Sequence, residues 1–342
     1  MRTRAIVFPT PNAAAVSEID LPDPRSVDVV VEMQVSGISV GTERWALVGK
    51  RKEMAFPHVP GYMGIGRVVE AGADAAARGW KAGMGINLMH SRLPAPYGSN
   101  SWMGAHLATA VVDVCEGVDE KPGEHNFFRA AKVPEGLDPL TASLTQLAGV
   151  AMRGIEMATI KAGTTVLVVG AGVIGQFAAQ ICRLKGARVM VTDLQADRLA
   201  IAARLGADWT VNGAIQDLKA EAKAAAPGGF DVIIDTASIP AVVNAVMPLL
   251  RVWGTFVFQG WYPPPSGLDL DAIQGRLATC HFPCGHTATH VTAAMRWVRD
   301  GRLDSRSLLT KVLRPDEAPA FYQHMAASSD AFLGAAIDWR KP

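Results

Sequence analysis

The stretch Thr165-Val-Leu-Val-Val-Gly-Ala-Gly-Val-Ile-Gly175 leads into a helix-like segment and then into Arg188-Val-Met-Val-Thr-Asp193. An apolar run ending in G-x-G-x-x-G, a helix, and a second apolar run ending in an acid make up a dinucleotide-binding βαβ fingerprint. Asp193 comes 18 residues after Gly175, close to the ~20 that this fingerprint expects. Gly170 permits the tight turn out of the strand. Gly172 lets the backbone approach a pyrophosphate, which the positive N-terminus of the next helix attracts. Gly175 lets that helix lie close to the sheet, and Val173 and Ile174 form its first turn. Asp193 can accept ribose hydroxyls, and its charge repels a 2′-phosphate, so the pattern favours NAD over NADP. Arg198, just beyond, joins the cofactor-contacting candidates.

Working outward, the 342 residues suffice for about two domains. Hydrophobic residues make up 49% and charged residues 19%, so a sizeable core is available. The net charge of +1 shows no basic excess that would argue for nucleic acid. No apolar stretch reaches the ~20 residues that span a bilayer, and Met1–Pro9 lacks a long apolar signal segment. Four cysteines (Cys115, Cys182, Cys280, Cys284) fit a reduced cytoplasm better than a disulfide scaffold. A cytoplasmic location, no membrane and no nucleic-acid partner are therefore expected.

The first ~140 residues read as β-rich, with short β-branched runs punctuated by Pro and Gly. From about Leu140 the texture changes. Apolar runs at 166–169, 188–192, 209–211, 232–235 and 255–258 alternate with helical stretches such as 196–205 and 241–250. That order implies a doubly wound parallel sheet of α/β class. Ligands bind beyond the carboxyl ends of such strands, so Thr236, Ala237, Gln259 and Gly260 are further cofactor candidates. The tail holds two apolar runs, 308–313 and 332–337, around a helix from Pro315. The pattern assigns residues 1–140 with 308–342 to one domain and 141–307 to the dinucleotide-binding domain.

The chain resembles the medium-chain dehydrogenase/reductase superfamily along nearly its whole length. The resemblance is carried by Val35-Ser-Gly-Ile-Ser-Val-Gly-Thr-Glu43, Pro60-Gly-Tyr-Met-Gly-Ile-Gly-Arg-Val-Val-Glu70, Trp80-Lys-Ala-Gly-Met-Gly85, the fingerprint, Asp231-Val-Ile-Ile-Asp-Thr236 and Gly254-Thr-Phe-Val-Phe-Gln-Gly260. It implies a GroES-like β-rich catalytic domain, a Rossmann cofactor domain and an active site in the cleft between them. It also implies a homodimer or homotetramer joined through the edge of the cofactor sheet. Part of the wording, S-G-I-S-x-G-T-E and V-P-G-Y, looks like bacteriochlorophyllide dehydrogenases and related zinc-free enzymes.

Where zinc-dependent members carry Cys, a His-Glu pair and a third ligand, this chain has Ser39, Tyr62-Met63 and, near 145–147, Gln146. Residues 86–112 contain no Cys, so the structural-zinc lobe is missing too. Ser, Tyr and Gln are not a zinc donor set, and no metal is expected. Without one, a side chain must handle the proton that leaves or joins the substrate oxygen. Tyr62 is the first candidate, its phenol acting as acid or base. Thr42 stands where the family has a proton relay, and Ser39 is placed to bond the substrate oxygen. Glu43 reads as a structural ion-pair member. His58 and His90 are possible bases, though single histidines are more often packed.

Cys280-His-Phe-Pro-Cys-Gly-His286, with His290 beyond, gathers thiols and imidazoles. Lining of a substrate pocket by Cys284 and His286 is the expectation, ahead of a metal. Trp45, His58, Gln146 and Trp261 complete the expected pocket; Trp102 and the stiff Gly260-Trp-Tyr-Pro-Pro-Pro265 loop are further wall candidates. The expected activity is NAD-dependent, zinc-independent interconversion of a small-molecule secondary alcohol and its ketone. A polyol, a sugar derivative or a larger ring-bearing alcohol would each serve. The alternatives are an NAD(P)H-dependent quinone or enoyl reductase and a non-catalytic nucleotide-binding protein.

Overall fold

A computed structural model describes residues 1–51, 54–97, 103–115, 130–262, 267–327 and 332–341. Trp102 and Pro263–Pro265 lie outside the described residues. The chain divides into two units: Met1–Gln146 with His286–Gly301 and Ser305–Pro342, and Leu147–Gly285 with Arg302–Asp304.

The second unit is built on six parallel strands: β1 (Thr165–Val169), β2 (Arg188–Asp193), β3 (Trp209–Asn212), β4 (Phe230–Asp235), β5 (Leu250–Phe258) and β6 (Thr279–His281). Their spatial order is β3-β2-β1-β4-β5-β6. This is the Rossmann order, with its switch point between β1 and β4. The strands are Val/Ile-rich because helices cover both faces of a parallel sheet. Leu167, Val169, Met190, Ile233, Phe256 and Phe258 form one continuous core. Helix Val173–Leu184 connects β1 to β2, and Ala196–Arg204 connects β2 to β3. The helix expected over 241–250 is shorter. It runs from Pro240 to Val246, a 3-10 turn takes Met247–Leu249, and Leu250 already opens β5.

The first unit carries a seven-stranded sheet whose backbone is the long strand Asp28–Ile38. It pairs antiparallel with Met63–Ala71 and Gly334–Asp338, and its first half pairs with Thr109–Asp113. Gly85–Leu88 and Ala130–Lys132 extend one side, and Leu309–Leu313 the other. Val29, Val31, Met33, Val68, Ile86, Leu88 and Val111 fill the core beneath. Residues 286–301 belong here, not with the dinucleotide-binding unit as the sequence pattern placed them. Helix Ala288–Arg299 buries Val291, Ala294, Met295 and Val298, and Met295 sulfur lies 3.8 Å from the Asn87 amide. An amphipathic helix reads the same from sequence whichever core it covers.

Candidate active site

In the first unit, strand pairing brings two turns together. Gly37 pairs with Met63 in the antiparallel register. Ser39, two residues after Gly37, and Tyr62, one before Met63, therefore leave the sheet at the same end. Ser39 follows the long strand and caps helix Val40–Leu47 with extended backbone. Its side chain makes no capping bond. It accepts the Tyr62 hydroxyl instead, at 2.8 Å. The Thr42 side chain, one turn into the helix, also hydrogen-bonds Tyr62. Three hydroxyls from two segments thus form one cluster. Burial pushes the Tyr62 phenol above the ordinary tyrosine range; the bonds from Ser39 and Thr42 offset this, and the Glu43 charge adds to it.

Glu43 lies behind that cluster, fully buried. Its Oε1 accepts the Ser39 backbone N–H at 2.8 Å. Its Oε2 meets His106 Nε2 at 3.0 Å and accepts the Tyr322 hydroxyl. His106 Nδ1 lies 2.7 Å from Ser36 Oγ, which accepts Trp339 Nε1–H at 2.8 Å. Sequence reading anticipated an ion pair for Glu43 but missed His106, Tyr322, Ser36 and Trp339. They lie 63 to 303 residues from their partners, and no local pattern marks such pairs.

Other expected site residues are committed elsewhere. His58 is fully buried between Phe8 and Phe56, with Nδ1 3.2 Å from Ala55 O. Desolvation lowers its pKa, so the ring stays neutral. It packs an aromatic box with Phe8 and Phe56. Gln146 is also fully buried; its amide donates to Asn87 Oδ1 at 2.5 Å and to Leu88 O at 3.2 Å. That ties it to the Gly85–Leu88 strand rather than to the Ser39–Tyr62 cluster. Trp45 is half-buried with the Lys50 ammonium 4.7 Å above its ring, and His90 is half-buried. Cys284 is exposed and falls in the second unit; His286 is buried and falls in the first. Among the described residues, no three His, Cys, Asp or Glu side chains gather as a metal would need. The Cys280–His290 stretch is no exception.

In the second unit the cofactor candidates collect at the carboxyl ends of β1, β2, β4 and β5. Gly170 adopts φ +94°, a left-handed conformation that glycine enters without strain. The space beside Gly172 is open. Gly172 caps the twelve-residue helix Val173–Leu184 without a side-chain bond, leaving its first N–H groups for an anion. A Cβ on Gly175 would strike the Gly170 carbonyl. Asp193 accepts Ala171 N–H at 2.6 Å and Gln195 N–H at 2.9 Å. A carboxylate has about four acceptor positions, so two remain for ribose hydroxyls. Gln176 ties the Ala171 carbonyl to that of Arg198 through its amide, at 3.2 and 2.8 Å. Thr236 bonds back to Val169 and Gly170.

The loops after β4 and β5 are latched together. Asp235 accepts Ser238 N–H at 3.0 Å, Ala237 N–H at 3.4 Å and the Tyr262 hydroxyl. Burial lifts the Asp235 carboxyl above the usual range, and these bonds offset part of that. Gly260 packs against the Ser238 side chain, and Trp261 is half-buried next to it. Gln259 uses its side chain inward. Its side chain is buried and donates to Val150 O at 3.1 Å, so only its backbone remains available at the strand end.

The chain is similar to known proteins. The family described as zinc-binding dehydrogenase matches residues 173–297, a segment that contains neither Ser39 nor Tyr62. A Mycobacterium tuberculosis (strain CDC 1551 / Oshkosh) protein named "Probable alcohol dehydrogenase" is 29% identical over 96% of this chain and 95% of its own length. The 2-desacetyl-2-hydroxyethyl bacteriochlorophyllide A dehydrogenase of Cereibacter sphaeroides is 24% identical over 99% of both. A Sinorhizobium meliloti 1021 protein described as a zinc-binding dehydrogenase, solved bound to NADP, matches with a TM-score of 0.82. It shares 23% identity over 99% of each chain. The Rossmann order, the nucleotide fingerprint and these full-length likenesses agree: the chain is similar along its length to alcohol dehydrogenases of the medium-chain dehydrogenase/reductase type.

Proposed function

We propose that this protein interconverts a secondary alcohol and its ketone with NAD, and does so without zinc. The hydrogen bond from Tyr62 to Ser39 carries the reading. It occupies the turns where the resemblance implies metal ligands. Zinc takes thiolate, imidazole or carboxylate ligands. Ser39 offers a neutral hydroxyl, and burial opposes loss of the Tyr62 proton. Glu43 and His106 are bonded to each other, and Ser39 N–H, Tyr322 and Ser36 take up their remaining positions. This donor set does not fit zinc.

The nicotinamide, when bound, supplies the hydride donor or acceptor. The protein supplies the proton handling. Tyr62 enters the cycle protonated, because burial disfavours its phenolate. Its one hydroxyl proton, which goes to Ser39 in the structure, would turn from that bond to a carbonyl oxygen as that oxygen gains negative charge. Ser39 orients the phenol, and Thr42 is placed as a relay that passes a proton from water to it as it gives up its own. Asp193 supports NAD over NADP, since its two anchored oxygens bring negative charge to the ribose position. The name of the Cereibacter relative supports a ring-bearing alcohol as one substrate class, beside polyols and sugar derivatives.

A cytoplasmic location is supported by four cysteines that are all free. Among the described residues no helix is long and apolar enough to cross a membrane. A homodimer or homotetramer joined along the outer strand β6 is the assembly we propose; size-exclusion chromatography reads it. The activity is tested by oxidation of NADH and NADPH against ketones, quinones and enones, with metal analysis of the same preparation. NADH-linked ketone reduction that persists in metal-free enzyme supports the reading. Stoichiometric zinc whose removal abolishes turnover overturns it.

A further inference from the structure

A carboxylate buried away from water is costly unless its oxygens are satisfied. Glu43 is fully buried and satisfied on both oxygens: Ser39 N–H on one, His106 and Tyr322 on the other. Trp339 Nε1 can only donate, and it donates to Ser36 Oγ. Ser36 Oγ lies 2.7 Å from His106 Nδ1, and the carboxylate of Glu43, which only accepts, takes the ring hydrogen of Nε2.

Two turns rest on this network. The Ser39 turn is held through its backbone N–H. The Pro60–Gly61–Tyr62 turn is held by His106 itself, whose N–H donates to Pro60 O at 3.2 Å. Gly61 adopts φ +87° with its backbone flat against the imidazole; a Cβ there would lie 2.6 Å from three ring atoms. One buried assembly therefore grips both segments whose hydroxyls meet.

We propose that Glu43, held by His106 and Tyr322, is a positioning residue that fixes the Ser39 turn against the Tyr62 turn. The hydroxyl pair thereby keeps one geometry through turnover. The inference rests on the reading of Tyr62 as proton donor. Displacement of a reacting group by ~1 Å costs on the order of 10²-fold in rate, so small shifts of either turn are felt in kcat.

The test uses the full chain and the variants Glu43→Gln, Tyr322→Phe, His106→Ala, His106→Gln and Tyr62→Phe, with the double variant Tyr62→Phe/Tyr322→Phe. Acetophenone, cyclohexanone and D-fructose serve as carbonyl probes, and the Kd for NADH is read by fluorescence. Glu43→Gln and Tyr322→Phe are expected to lower kcat by ~10- to 100-fold with the NADH Kd within about twofold of wild type. His106→Gln, which keeps an N–H toward Glu43, recovers part of what His106→Ala loses. The double variant loses no more than Tyr62→Phe alone, because residues that act through one another are not additive.

Wild-type kcat in Tyr322→Phe, or losses that multiply in the double variant, overturns the positioning role and leaves Tyr62 standing. Full turnover in Tyr62→Phe instead overturns the proton-donor reading, and with it this inference. Should Glu43→Gln fail to fold, Tyr322→Phe, lacking one hydroxyl, decides alone. A crystal structure of Tyr322→Phe gives a readout without turnover. A Tyr62–Ser39 separation beyond hydrogen-bond reach supports the role; one unchanged from 2.8 Å overturns it.

Discussion

Tyr62 and Ser39, 23 residues apart in the chain, share a buried hydrogen bond of 2.8 Å from phenol to hydroxyl. Its electrostatic consequence is directional. Burial raises the phenol pKa above the ordinary tyrosine value of about 10. The group is then protonated at every pH below that range. Ketone reduction, which needs the proton, should be flat through neutral pH and fall only at strongly alkaline pH. Alcohol oxidation, which needs the phenolate, should climb about tenfold per pH unit across the same interval. Rate profiles of kcat/KM in both directions check this. An oxidation rate that levels off near pH 7 would mean another group takes the proton.

Cofactor choice turns on Asp193. Its carboxylate repels a 2′-phosphate, and the charged hydrogen bonds it offers ribose are worth about 1.5–3 kcal/mol. Asp193→Ser should therefore lower the preference for NADH over NADPH by ~10- to 100-fold. Specificity constants with both cofactors measure it, and an unchanged ratio would remove Asp193 from discrimination.

Removal of the Tyr262 hydroxyl tests the latch between the loops after β4 and β5. Tyr262→Phe leaves the buried Asp235 carboxylate with only the Ser238 and Ala237 N–H groups. The loss is about 1–3 kcal/mol of stability, read by urea denaturation. The NADH Kd should rise, because the loosened loops stand at the strand ends where ligands bind.

Gly61→Ala probes the backbone that lies on His106. The φ of +87° disfavours any side chain, and the added Cβ would overlap the imidazole. Left-handed strain of about 1–2 kcal/mol adds to overpacking of about 1–3 kcal/mol. Denaturation midpoints well below wild type are expected, and a neutral substitution would show that the His106 ring yields freely.

The Rossmann unit was legible because its signals are local. Glycines at fixed spacing, an acid 18 residues on and alternating strands and helices all lie within one βαβ span. Ser39, Thr42 and Tyr62 could be singled out because two short motifs matched a known family, and the register of Gly37 with Met63 explains why they meet. Glu43's partners could not be read this way. Tyr322 comes 279 residues after Glu43, and nothing in its helix marks one phenol for a buried carboxylate. His58 and Gln146 were singled out from residue type alone. Residue type suggested chemistry, while an aromatic box and an Asn87–Leu88 contact decided their surroundings. Helix Ala288–Arg299 carries an ordinary apolar face, which does not say which core it covers.

The central claim is that a phenol, rather than a metal, handles the substrate proton. Its most direct test is the kcat of Tyr62→Phe for NADH-linked ketone reduction, at neutral pH and in metal-free buffer. A fall of ~10²-fold or more with the NADH Kd unchanged is predicted. A kcat within about threefold of wild type, on the scale of general acid catalysis, would contradict it.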